Sequence, residues 1–326
     1  MKKHLKWLSV PLVLILLIFA ISQIDREELL YSVSQIPWWL LPALCAFQIV
    51  TQLVVNYQWF YISKLAGAKL SYGQLFRINC HGIVYDSLTP GLKVGGEISR
   101  AMRIRKVGEL PGDKAAAIVA LQKLFYIATQ FIILLAVGIA LAVVGGQLHF
   151  SIYLLTFLLL GLIFGVFFFP KAIHNRLTKI NQPKNKWIRK LYSISLTLLM
   201  QMNDLRKNKK RLTNLTLLSI LIWLLYPAKM YILALFFAPS LSIFQITTIT
   251  FTAYIVATLP IFPGGLAGFE GTMTALLVSA DYAVSDAAAT TIVFRFVTFW
   301  FLLIFSLFSI GVYKILDYRN KSVKQQ

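Results

Sequence analysis

The sequence is short of acid, cysteine and histidine: of 326 residues only 12 are Asp or Glu, 2 are Cys and 4 are His. Cys45 and Cys80 lie in apolar or mixed stretches without a CxxC partner, which excludes a disulfide framework and a zinc site. His4, His81, His149 and His174 have no metal-ligand spacing, and no Ser/His/Asp or Cys/His set assembles. Neither a metal nor a cofactor is therefore expected, and catalysis is disfavoured without being excluded. Charged residues make up 13% of the chain and hydrophobic ones 58%. An average soluble domain has about 25% and about 45–50%. That hydrophobicity excludes disorder, and apolar runs too long for a globular core exclude an ordinary soluble enzyme. The net charge of +20 alone would admit nucleic acid. No folded basic domain or set of stacking aromatics accompanies it, so none is expected.

What the chain does have is apolar runs of about 18 or more residues, long enough to cross a bilayer as helices. Seven qualify: Leu5–Ile21, Trp38–Ile62, Ala115–Val144, Ile152–Phe169, Leu212–Ala238, Ile243–Leu259 and Ala287–Tyr313. The first follows Lys2, Lys3 and Lys6 and resembles a signal peptide, but with six more spans behind it an uncleaved first helix is expected. The 32 basic residues fall almost entirely in 1–6, 63–70, 93–114, 171–211 and 314–326, leaving only Arg26, Arg77, Lys123, Lys229 and Arg295 elsewhere. By the positive-inside rule those segments, and both termini, are cytoplasmic. Two further segments then have both ends on one side. Ser71–Thr89 carries Gln74, Arg77, Asn79, His81 and Asp86 between basic flanks, and Leu266–Ala280 is too short to span. The first reads as a re-entrant hairpin that enters, turns and comes back, and the second forms another together with Ile243–Leu259. Such backbone is tolerated at depth only inside protein or beside a water-filled cavity.

The two turns share a pattern. Pro90-Gly91-Leu92-Lys93-Val94-Gly95-Gly96-Glu97 and Pro263-Gly264-Gly265-Leu266-Ala267-Gly268-Phe269-Glu270 both read P-G-x-x-x-G-x-E. Downstream, Ala116-Ala117 and Lys123 recur as Ala288-Ala289 and Arg295, one residue out of register. Under the charge-derived topology the matching elements run in opposite directions. The expectation is a single integral membrane domain over 1–326: an all-α polytopic protein of about seven spans and two re-entrant hairpins. Its halves, 1–146 and 147–326, form an inverted repeat with a site near the midplane. In 171–211, twelve basic residues accompany Trp187, Ile188, Leu191, Ile194, Leu198, Met202 and Leu205 at helical spacing. This reads as an amphipathic helix on the inner leaflet.

Glycine-rich turns that open helices present free N–H groups to an anion. Glu97 and Glu270 either complement the helix starts they sit on or pair with a cation or amine. A charge at the bilayer centre costs about 2.5–3.5 kcal/mol on insertion scales, so Arg77, Lys123, Lys229 and Arg295 are expected to face the interior or a cavity. Lys123 and Lys229 have stems long enough to snorkel. Lys229 also follows Tyr226-Pro227, a kink signal.

Leu88-Thr89-Pro90-Gly91, Gly95-Gly96-Glu97, Arg100 and the stretch Leu259-Pro260 to Glu270 resemble the two signatures of the flippase-like transmembrane domain of lysylphosphatidylglycerol synthases. Where that family commonly has Glu-Arg after the first signature, this chain has Gln122-Lys123. The resemblance implies a bacterial or archaeal plasma-membrane protein that handles an anionic, aminoacylated or polyprenyl-linked lipid. It also implies that the soluble aminoacyltransferase domain of two-part members is absent. Transport is the leading expectation, with a head group passing between the hairpins. The substrate-contacting residues would be Arg77, Pro90, Gly91, Gly95, Glu97, Arg100, Lys123, Lys229, Pro263, Gly264, Gly265, Gly268, Glu270 and Arg295. The alternative is a membrane component of lysyltransferase-type lipid modification, either as an enzyme or as partner of a soluble synthetase or glycosyltransferase.

Overall fold

The computed structural model describes residues 26–89, 94–143, 164–179, 183–237, 241–258 and 267–323, with isolated positions between 154 and 161 and Gly265. Among the described residues the secondary structure is helical, with no strand. The helices are α1 (Arg26–Ser34), α2 (Leu40–Leu65), α3 (Tyr72–Leu88), α4 (Val94–Val107), α5 (Gly112–Val143) and α6 (Pro170–Leu177). They continue with α7 (Lys186–Lys207), α8 (Lys209–Ala234), α9 (Ile243–Ala257), α10 (Gly268–Val278), α11 (Val284–Arg295) and α12 (Phe301–Val323). A five-residue π-helical turn, Phe296–Trp300, joins the last two.

Among the described residues four stretches are long and apolar enough to cross a membrane: Leu40–Leu65, Gly112–Ala140, Lys209–Ala234 and Val284–Tyr318. They correspond to four of the seven expected spans. Leu5–Ile21 lies outside the described residues, as does much of Ile152–Phe169. Ile243–Leu259 forms the shorter helix α9, of 15 residues. Large apolar side chains face outward on these elements, among them Leu53, Ile139, Leu221 and Phe308, as expected where lipid is the solvent.

Ser71–Thr89 does not turn within itself. Residues 72–88 form one unbroken helix, and the chain resumes as a second helix at Val94. The polar residues Gln74, Arg77, Asn79 and His81 do not stop a helix. Pro90, Gly91, Leu92 and Lys93, between the two helices, lie outside the described residues. The later helix pair is built alike, with α9 packed on α10 and α10 on α11.

Both leading helices begin with the same device. Ser71 and Gln74 bond reciprocally, the Gln74 N–H to Ser71 Oγ at 3.2 Å and the Ser71 N–H to Gln74 Oε1 at 2.8 Å. Ser242 and Gln245 form the equivalent capping box on α9. Two orphan donors are satisfied in each case. At the far ends Thr89 Oγ donates to the Tyr85 carbonyl, and Thr258 Oγ to the Ile255 carbonyl, each at 2.6 Å.

The chain divides into two compact units. The first comprises Met1–Gln52, Cys80–Gly96 and Leu225–Gln326, and the second Leu53–Asn79 and Glu97–Leu224. In the first unit α11 packs on α1 and α10, over a core that includes Phe251, Phe269, Met273 and Phe294. In the loop before α11, Tyr282 Oη donates to the Ala234 carbonyl at 3.4 Å. Burial, and then the nearby Asp286 carboxylate, push that phenol up to about 12, so it stays a neutral donor.

The second unit packs Trp59, Ile62, Leu75, Ile118 and Phe125 against Met202, Leu205 and Leu215. This adds a protein contact to the amphipathic helix expected in 171–211. Helix α7 starts at an Asn185 N-cap and divides along its length. Leu199, Met202 and Leu205 are buried in protein, on α5, whereas Trp187, Ile188 and Leu191 in its first turns, and Met200 further on, are exposed. The apolar stripe continues, but its second half serves the core.

A ladder of buried amides also holds the second unit. Asn79 donates to Asn56 at 2.8 Å and Asn56 to the Tyr72 carbonyl at 3.1 Å. Gln122 donates to Gln58 at 3.0 Å, and Gln58 to Ser219 Oγ at 2.7 Å. Away from water each such bond is costly to leave unmade. Gln122 is thus a structural link.

Candidate functional site

Each glycine turn ends in a glutamate that meets a cation from the following long helix. In the second unit Lys123 Nζ of α5 lies 3.3 Å from Glu97 Oε1, and Arg100 Nη1 lies 3.7 Å from the same oxygen. Behind them the Arg100 guanidinium stands 5.6 Å from the Trp59 ring, and Lys123 Nζ stands 5.9 Å from Tyr126. In the first unit Arg295 Nε of α11 donates to Glu270 Oε1 at 2.8 Å. Its guanidinium lies between two rings, 4.8 Å from Phe269 and 4.2 Å from Phe299. Phe269 immediately precedes Glu270, so α10 supplies both the carboxylate and one face of the stack.

Neither glutamate spends its second oxygen. Glu97 Oε2 and Glu270 Oε2 are both buried with no hydrogen-bond partner among the described residues. A carboxylate oxygen has acceptor capacity only, so each has room for a donor that no described residue supplies. Both glutamates lie in the first turns of their helices, where they complement the positive dipole ends.

The glycines allow the close approach these turns need. A Cβ on Gly96 would stand 2.1 Å from Asp86 Oδ1, and one on Gly95 would stand 2.3 Å from the Thr89 side chain. Gly265 has φ +73° and a Cβ there would meet the Ala257 carbonyl at 2.8 Å. Ala267 occupies φ 64° just before α10, a left-handed conformation that a β-carbon disfavours. Gly268 is buried at the start of that helix. Pro90, Gly91, Pro263 and Gly264 lie outside the described residues.

Lys229 does not snorkel. It is fully buried, donates to Gln48 Oε1 and, at 3.0 Å, to Thr51 Oγ, and lies 4.6 Å from the Tyr226 ring and 5.5 Å from Phe47. Two residues after Pro227, it is held on the inner face of α8 by neutral acceptors and ring faces, with no carboxylate in ion-pairing range among the described residues. Arg77 stands half-buried on α3. No group of three His, Cys, Asp or Glu gathers among the described residues.

Sequence reasoning missed three features. The S-x-x-Q boxes were legible as capping patterns. The buried threonines of α9 and α11, where Thr250, Thr252 and Thr290 leave hydroxyls unpartnered among the described residues, look apolar enough by composition to escape notice. The π-helical turn directly after Arg295 has no sequence signal, yet such turns gather at functional positions.

The helices and the buried charges on them define a polytopic helical membrane protein. Within that class, the chain belongs to the family described as the lysylphosphatidylglycerol synthase TM region, which it matches over residues 6–306. Its relatives include a UPF0104 membrane protein of Pyrococcus horikoshii, 23% identical over 92% of this chain and 94% of that one. Another, of Methanothermobacter thermautotrophicus, is 24% identical over 75% of this chain and 77% of its own length.

Proposed function

We propose that the protein moves a polar lipid head group across the plasma membrane, with both termini cytoplasmic and the two Glu–cation pairs as its binding stations. One observation carries this reading: each pair leaves a buried carboxylate oxygen beside a fixed positive charge. A head group with an N–H or O–H donor next to a phosphate complements both at once. Aminoacylated and hydroxyl-rich anionic lipids have that chemistry. The quaternary head group of phosphatidylcholine offers no donor.

The recurrence of capping box, terminal threonine, glycine turn, glutamate and paired cation supports the inverted-repeat reading, with halves 1–146 and 147–326. Opposed repeats with broken helices are a common basis for alternating access. Arg77, Gly95, Arg100, Lys229, Gly265 and Gly268, with Pro90, Gly91, Pro263 and Gly264, would shape the route. The test is purified protein in liposomes carrying tail-labelled lipids. Faster exchange of phosphatidylglycerol or lysyl-phosphatidylglycerol than of phosphatidylcholine is expected. Rates equal to protein-free liposomes for every lipid would sink the reading.

Family membership favours a second reading, a membrane partner for a soluble lipid synthetase or glycosyltransferase. A lipid species lost on deletion and restored only when both proteins are present would support it.

A further inference from the structure

The second unit has two adjoining cavities away from Glu97 and Lys123. One, of about 320 Å³, is lined by Leu65, Leu121, Met200 and Leu205 with Lys114, Gln201 and Arg211. The other, of about 310 Å³, is lined by Tyr57, Phe60 and Tyr61 with Lys64 and Arg211. Leu65 and Arg211 belong to both.

The polar groups here are mismatched in one direction. No carboxylate lies within ion-pairing range of Lys64, Lys114 or Arg211 among the described residues. Asp204, the acidic residue of the first cavity, is already paired with Lys207 at 2.8 Å. Asp113, next to Lys114, accepts from Thr197 Oγ at 3.2 Å. Gln201 has both its amide nitrogen and its amide oxygen buried without a partner among the described residues. A wall that is half apolar, with surplus cations and an unsatisfied amide, suits a ligand that is anionic at one end and apolar at the other.

We propose that these cavities bind the phosphate head group of an anionic phospholipid, a site separate from the transport stations and not dependent on that reading. Arg211 and Lys114 hold the phosphate, the first by its planar fork and the second as a point charge. Gln201 bonds the glycerol hydroxyls, and Tyr57, Phe60 and Leu65 receive the first part of the acyl chains. Basic pockets between membrane helices recognise lipid head groups in this way. A soluble phosphate ester shares the head-group chemistry and would lack the chain contacts.

The test is native mass spectrometry of the full-length protein titrated with phosphatidylglycerol, phosphatidylcholine or glycerol 3-phosphate. Phosphatidylglycerol is expected to bind in preference, and Lys114→Gln with Arg211→Gln to weaken it by about tenfold or more, two charge-assisted contacts being lost. Removing two charges outside the cavities, by Lys209→Gln with Lys210→Gln, should leave it within about twofold, as for screened surface charges. Gln201→Leu, which adds no charge change, should weaken phosphatidylglycerol and leave phosphatidylcholine alone. Binding of glycerol 3-phosphate as tight as that of the lipid would assign the site to soluble phosphate esters and overturn the lipid. Equal binding of the two phospholipids, or equal losses in the two double variants, would overturn the site itself.

Discussion

The two glutamate–cation pairs occupy matching places in matching stretches of chain, yet they are built to different tolerances. Arg295 and Glu270 meet at 2.8 Å with side chains only 6% and 17% exposed, and the guanidinium is stacked between two rings. Lys123 and Glu97 meet at 3.3 Å with 32% and 21% exposed, and Arg100 shares the same carboxylate oxygen. A planar fork fixed by aromatic faces holds one geometry. An ammonium on a flexible stem, with a second cation in reserve, holds several. The Glu270–Arg295 pair is therefore the rigid one and the Glu97–Lys123 pair the adaptable one.

Removing one partner of each pair should break this comparison most visibly. Arg295→Ala leaves a buried carboxylate uncompensated, a loss of about 3–5 kcal/mol for pairs of that kind, and is expected to abolish transport and lower the apparent Tm sharply. Lys123→Ala is expected to cost about 1 kcal/mol or less, because the pair is partly exposed and Arg100 remains. Equal losses of Tm in detergent would show that the pairs do not differ.

Glycine replacement comes next. Gly96→Ala drives a β-carbon into Asp86, and Gly265→Ala combines a clash with a positive φ, so each should cost about 1–3 kcal/mol. Either variant folding and transporting like the parent would remove the close-approach argument. Conservative exchange sharpens the comparison further. Arg295→Lys loses the stack and should cost about 1–2 kcal/mol, whereas Lys123→Arg should change Tm little. The smallest effect runs the other way. Ala267→Gly relieves a left-handed residue and should stabilise by about 0.5–1 kcal/mol, read as a small rise in Tm.

Much of this arrangement was legible in the chain. The P-G-x-x-x-G-x-E repeat picked out Glu97 and Glu270, and pairing with a membrane cation was one of the two roles the sequence left open for them; which cation meets which glutamate is a tertiary fact. Four expected spans appear as long apolar helices because hydropathy over about 18 residues is a strong signal. The less legible parts are long-range in origin. Lys229 has a stem that can reach an interface, and only the tertiary positions of Gln48, Thr51 and Tyr226 keep it inside. Helix α7 has one continuous apolar stripe, and nothing local says that Met202 meets protein while Trp187 does not. Basic flanks on both sides of 71–89 suggested a turn within the segment, but residues 72–88 form one helix.

The central claim is that the free oxygens of Glu97 and Glu270 bind the head group. Glu→Gln tests it with least disturbance, since it keeps shape and removes charge. The deciding measurement is the exchange rate of tail-labelled phosphatidylglycerol or lysyl-phosphatidylglycerol in liposomes, for the parent protein and for Glu97→Gln and Glu270→Gln. A fall of about tenfold or more in each folded variant is expected, as for a lost charge-assisted contact. Parent-like rates in both variants would contradict it.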